Sequence, residues 1–101
     1  MSIQKGGHVY ITTNKTHSVL YIGVTSNLIN RIWEHKNKVH PKSFTSKYNC
    51  DILVYYNFYP LIEEAISIEK SLKDRSRKYK IDLINGLNPE WRDLYNDLTS
   101  E

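Results

Sequence analysis

Hydrophobic and polar positions alternate in two short runs near the start of the chain, HVYITT and VLYIGV, separated by the polar break NKTHS. Successive residues of a strand point to opposite faces of its sheet. In the first run Val9 and Ile11 share one face, with His8, Tyr10 and Thr12 on the other. In the second, Leu20, Ile22 and Val24 oppose Tyr21 and Gly23. Residues 14–18 form the turn, since asparagine at its start suits one, and His17 within it is expected to be solvated. If both apolar sets face a core, Tyr10 and Tyr21 lie together on the opposite side. The plainer reading is a hairpin with two ordinary strand tyrosines, a residue type common in strands. Gly23 beside them has no side chain, so a ligand can approach the backbone there.

The period then changes. At about 100° per residue, Leu28, Ile32, Ile29 and Trp33 make one apolar arc of a helix over residues 27–37, capped by Thr25 or Ser26. Arg31 and His35 lie side by side just beyond its Leu28 edge. DILVYYNF, residues 51–58, is a third strand. Its near-continuous apolar run predicts a central strand covered on both faces. Pro60 opens a second helix that runs to about Arg75, with Glu63 and Glu64 at its positive end. Around its wheel Ile68, Leu61, Leu72, Ala65, Ile62 and Ile66 form an apolar arc. Glu69 falls inside this arc, and an isolated buried carboxylate is costly. It should therefore meet a cation: Arg31, a lysine, or a metal.

A third helix follows over SRKYKIDLING, with Ile81, Leu83 and Ile84 facing inward and Gly86 as its stop. NPEWRDLYNDL begins another, with Trp91, Leu94 and Leu98 as a narrow apolar stripe. The order β-β-α-β-α-α-α predicts an α+β fold, a three-stranded antiparallel sheet with helices packed around it. Residues 1–101 read as one domain, with 1–7 as a loose arm around Gly6 and Gly7.

Within 28 residues, His8 to His35, two tyrosines, an arginine and a histidine are placed near one core boundary. Tyr10, the run Tyr21-Ile22-Gly23, and Arg31 with His35 in RIWEHK resemble the motif of the GIY-YIG nucleases. The first element departs from its namesake, with His8-Val9-Tyr10 standing for Gly-Ile-Tyr. The resemblance continues through LVYYNFYPLIEEAISIEKSLK and NPEW, and is greatest to the small stand-alone bacterial members. It implies the same sheet-and-helix organisation, and a shallow face on which Tyr10, Tyr21, Arg31, His35 and Glu69 converge. It implies that Glu69 binds a catalytic Mg²⁺ or Mn²⁺. It assigns Tyr10 the role of general base, directly on water or by relay, and Tyr21 that of orienting water or phosphate. Some relatives carry a lysine after the motif's last glycine, where this chain has Val24. A late asparagine lies near the site in some of them, but the spacing of Asn88 does not transfer that role.

The residue types suit the implied chemistry. Phosphodiester hydrolysis needs an activated water, charge neutralisation on phosphoryl oxygens, and help for the leaving oxygen. Arg31 can grip a phosphate in forked geometry. One carboxylate is a sparse ligand set, yet Mg²⁺ commonly keeps waters and takes substrate oxygens. Tyrosine is a poor base near its usual pKa of about 10, and nearby positive charge would lower that value. His35 would accept a proton from a tyrosine hydroxyl or hold that hydroxyl in place.

Charge and composition change the picture modestly. The formal net charge of +3 hides a basic body and an acidic end: residues 1–80 carry a balance of +7, and residues 81–101 one of −4. A basic body attracts nucleic acid, or serves only solubility. In KVHPKSFTSKYN, Lys38, Lys42 and Lys47 alternate with aromatic residues, an arrangement that can contact a phosphate backbone and stack on bases. Phe44 is expected to tuck into the core instead. The histidines and Cys50 lack zinc-ligand spacings. A lone cysteine excludes an internal disulfide framework and fits a reducing cytoplasm. No apolar run suggests a signal peptide or a membrane span. The expectation is a DNA endonuclease of low sequence specificity, with a place in repair or recombination. The alternatives are a nucleic-acid-binding module with weak catalysis, and a protein-interaction domain using the tyrosine-rich sheet.

Overall fold

The computed structural model describes residues 6–100. Apart from Gly6 and Gly7, the expected N-terminal arm lies outside them, and Gly7 already opens the first strand. The elements are β1 (Gly7–Thr13), β2 (Leu20–Thr25), α1 (Leu28–Lys36), α2 (Phe44–Lys47), β3 (Ile52–Tyr59), α3 (Ile62–Lys73), α4 (Arg77–Leu87) and α5 (Tyr95–Thr99). The strands form one antiparallel sheet in the order β2-β1-β3. The α+β class and the three-stranded sheet stand as expected. The short α2 is an addition.

Alternation on β1 splits the interior in two. Val9 and Ile11 join Ile22, Val54, Ala65, Leu72 and Ile84 under α3 and α4. Tyr10 joins Leu28, Ile32, Leu53 and Leu94 under α1 and the C-terminal segment. The tyrosine side is therefore a second core, and Tyr10 is fully buried. Among the described residues no helix is long and apolar enough to cross a membrane.

The central strand is β1, and β3 lies at the edge. Apolar residues on both faces of a strand report the layers above and below it, not how many strands flank it. The open edge of β3 is satisfied by the C-terminal segment. Leu94 N–H donates to the Leu53 carbonyl, Leu53 N–H to the Asp93 carboxylate, and the Asn88 amide to the Val54 carbonyl. Covering an edge in this way prevents edge-to-edge pairing with other chains. Asp93 also binds Lys36, tying this segment to the end of α1.

Several boundaries depart from the sequence reading. The cap of α1 is Asn27, whose side chain accepts from Asn30 N–H, and Thr25 binds Asn27 N–H one step earlier. Only Leu28 and Ile32 of its apolar arc are covered, while Ile29 and Trp33 face outward. On α3, Ala65 and Leu72 are buried, but Leu61, Ile66 and Ile68 are exposed, because only the centre of that arc meets the sheet. Gly86 lies inside α4, which ends at Leu87 with Asn88 as its cap. Trp91 takes a positive φ of 54°. The chain turns there, so Trp91 packs toward the Val9 cluster and Leu94 toward the Tyr10 cluster. They do not form one helical stripe. His17 is exposed, but its ring lies 4.8 Å from that of Trp91, tilted by 31°, and its carbonyl accepts from Arg77.

Candidate active site

Antiparallel pairing sets Tyr10 opposite Gly23 and Thr12 opposite Tyr21. The Tyr10 ring lies directly over Gly23, where an added Cβ would collide with the phenol. The room left by the missing side chain is thus filled by Tyr10 and is not open to a ligand, a correction to the sequence reading. Tyr21 lies 6.3 Å from Tyr10 between ring centroids, on the edge strand and half-buried.

Helix α1 brings its i, i+4 pair to these rings. The Tyr10 hydroxyl is 2.9 Å from His35 Nε2, and the other ring nitrogen, Nδ1, is 3.0 Å from Thr45 Oγ1. The positive charge of Arg31 acts on the same Tyr10 hydroxyl and favours its ionised form. These partners assign the protons. Burial raises the Tyr10 pKa above its ordinary value, with the neighbouring Tyr21 and Glu69 adding to the effect and Arg31 opposing it. Tyr10 is therefore a neutral phenol whose proton needs an acceptor. Arg31 has only donors, so the phenol donates to His35 Nε2, and Nδ1–H donates to Thr45. Burial, assisted by Arg31, lowers the His35 pKa to about 4. The imidazole is neutral at pH 7 and has a free lone pair for Tyr10.

Arg31 is held by Glu34 at 3.3 Å, and Glu34 also lies 3.8 Å from His40. Together with Tyr21, Phe44 and Thr45 these residues line a cleft of about 310 Å³. Sequence reasoning missed Thr45, Glu34 and the helix α2 that walls the cleft. The cap signal of α2 is present as Ser43, which accepts from Ser46 N–H. The contact between Thr45 and His35 is long-range, and no local pattern announces it.

Glu69 lies on α3, which crosses both β1 and β2. Its side chain is 13% exposed and pairs with Lys73 at 3.4 Å. Of the cations open to it, a lysine is the one it meets, and its carboxylate is near enough to Tyr10 to disfavour the phenolate. The described residues contain no group of three or more His, Cys, Asp or Glu side chains arranged to hold a metal. Glu69 fits a Mg²⁺ ion only as a lone carboxylate, with water and substrate oxygens completing the shell. Val24 packs with the Val9 cluster on the face covered by α3, opposite the tyrosines.

The remaining candidates are scattered. Lys38 donates to Asn49 Oδ1 at 2.6 Å. Lys42, just before α2, and Lys47, its last residue, are exposed. Phe44 does not tuck into the core but is 45% exposed. Asn88 is buried with its amide consumed by Val54, Arg92 O and Arg92 N–H, so its role is to hold the turn. Cys50 is a free, buried thiol whose pKa burial pushes up to about 11.

Comparison with known proteins adds an independent observation. Residues 6–82 match the family model described as the GIY-YIG catalytic domain. A UPF0213 protein of Pediococcus pentosaceus is 31% identical over 84 residues, covering 81% of this chain and 87% of the relative. The solution NMR structure of a UPF0213 protein of Bacillus halodurans matches with a TM-score of 0.55 at 26% identity, over 95% of this chain and 99% of the other.

Proposed function

The chain belongs to the GIY-YIG family, and from that premise we propose that it is a divalent-metal-dependent endonuclease that hydrolyses DNA phosphodiester bonds with low sequence specificity. The observation that carries the reading is the buried hydrogen-bond chain Tyr10–His35–Thr45, with Arg31 at the same phenol.

A phenol whose pKa lies above the ordinary value is no standing base at neutral pH. The geometry therefore favours relay over direct abstraction. As the water oxygen bonds to phosphorus, the water proton passes to Tyr10 Oη, which is buried behind the cleft and must be uncovered by a shift of its lining, while the Tyr10 proton passes to His35 Nε2. The phosphorus–oxygen bond to the leaving strand breaks, and that oxygen takes a proton from solvent. Arg31 neutralises charge on the phosphoryl oxygens. Tyr21, at the mouth of the cleft, orients the water or the phosphate. Thr45 keeps Nε2 free to accept. Glu69 would hold the metal, which when bound supplies Lewis-acid stabilisation of phosphoryl oxygens. A cytoplasmic setting and a role in repair or recombination belong to the same proposal.

A second reading keeps DNA binding with little catalysis. It is favoured by the raised Tyr10 pKa and by Val24 where some relatives carry lysine. Plasmid nicking with Mg²⁺ or Mn²⁺ separates the two. The nuclease reading expects metal-dependent nicking that is lost in Glu69→Gln. Salt-sensitive binding without nicking would select the second reading. Nicking that survives in Glu69→Gln would remove Glu69 from the site.

A further inference from the structure

Helix α2 is turned in an unusual sense. It buries Thr45 and Ser46 and leaves Phe44 and Tyr48 45% and 50% exposed. The two rings, one turn apart, lie 4.6 Å from each other. Phe44 in turn stacks on Tyr21 at 5.9 Å with planes 27° apart. The result is a step of three aromatic rings that starts at the cleft holding Arg31 and leads outward onto solvent-exposed faces. The hydrophobic effect alone would have turned these rings inward.

The setting is also fixed and positively charged. Residues 35–50 hold four lysines and no carboxylate. Lys38 and Asn49, at the two ends of the loop, both take positive φ and are joined by a hydrogen bond, so α2 is clamped at its base. Lys42, two residues before Phe44, and Lys47, next to Tyr48, are both exposed. Aromatic faces within a basic track suit nucleic-acid bases, which stack without regard to sequence.

We propose that Tyr21, Phe44 and Tyr48 form a stacking platform for bases of an unpaired DNA strand, next to the phosphate that is to be cut. The placement of that phosphate at Arg31 rests on the nuclease reading; the platform itself does not. A base inside a duplex has both faces already stacked, so it must be extruded at a cost of a few kcal/mol before it can reach these rings. The platform thus selects single strands, loops and frayed ends.

Fluorescence anisotropy with the full chain in EDTA tests this. The probes are a short labelled oligothymidylate, the same length of strand with abasic sites throughout, and a duplex of that length. The abasic strand keeps the phosphates and removes the bases. The wild type should bind the base-bearing strand about tenfold tighter than the abasic one, the scale of stacking on exposed aromatics. Phe44→Ala with Tyr48→Ala should erase that preference and leave abasic binding unchanged. Phe44→Leu and Tyr48→Leu, which keep apolar bulk on the helix, should erase most of it if the alanine pair unfolds. Equal affinity of the wild type for base-bearing and abasic strands would overturn the proposal. So would variants that weaken both strands equally. Base preference in a protein that nicks no DNA would fail the nuclease reading alone; nicking without base preference would fail the platform alone.

Discussion

The two faces of the sheet are made from the same strand, yet they do different work. On the α3 and α4 side, Val9 and Ile11 lie in an aliphatic cluster with Ile22, Val54, Ala65, Leu72 and Ile84, with Tyr55, Tyr59 and Trp91 packed at its margin. On the α1 side, Tyr10 meets Leu28, Ile32 and Leu53 with its ring, while its hydroxyl meets His35 and Arg31. Glu69 of α3 apart, that face supplies stability through burial, which is non-directional. The other needs particular atoms at particular distances. Chemistry can be lost there without loss of the fold, because the polar tip of a buried tyrosine adds little to packing.

The sharpest way to break the contrast is Tyr10→Phe, which keeps the ring and removes the hydroxyl. Cleavage should fall by about 10²- to 10⁴-fold, the usual contribution of a general base, while stability falls by only about 1–3 kcal/mol because His35 Nε2 is left unpaired. A rate assay beside a melting curve checks both. The neighbouring Ile11→Ala should do the reverse, costing about 2–5 kcal/mol of stability by leaving a cavity. Molecules still folded should cut DNA at the normal rate, as urea unfolding and nicking at low temperature would reveal.

Acid should also distinguish the faces. With a folded pKa of about 4 against an ordinary 6.5, His35 takes up its proton more readily in the unfolded chain. Its contribution is therefore complete above about pH 6.5 and is lost as the pH falls toward 4. The expected loss is on the order of 1–3 kcal/mol. His35→Gln should flatten that part of the stability profile. A smaller effect is expected for Thr45→Val, which removes the acceptor for His35 Nδ1–H. About a five- to tenfold loss of kcat should accompany it, with KM for DNA unchanged, from the loss of a roughly 1 kcal/mol hydrogen bond. The pH–rate profile should shift as well, which a purely structural residue would not cause.

The same comparison explains what could be read from the chain. Alternation alone puts Tyr10 and Ile11 on opposite faces. The i, i+4 spacing puts Arg31 and His35 together, and the wheel position of Glu69 calls for a cation beside it, where Lys73 lies 3.4 Å away. Periodicity failed where an element is too short to show one. Helix α2 has four residues, and its buried side is polar. It also fails where coverage and neighbour count diverge: the apolar run of β3 reports two covered faces, yet the strand lies at the edge of the sheet. The split of Trp91 from Leu94 followed from a positive φ that no bulky residue advertises. At Gly23 the missing side chain was legible but its occupant was not. Only the register reveals that Tyr10 fills the gap.

The central claim is that His35 Nε2 is held unprotonated as the acceptor for the Tyr10 hydroxyl. Nitrogen-15 NMR of the imidazole at pH 6 reads this directly. The expected spectrum is that of a neutral ring with its proton on Nδ1 and with two-bond couplings marking Nε2 as the bare nitrogen. An imidazolium at that pH, or a neutral ring protonated on Nε2, would contradict it.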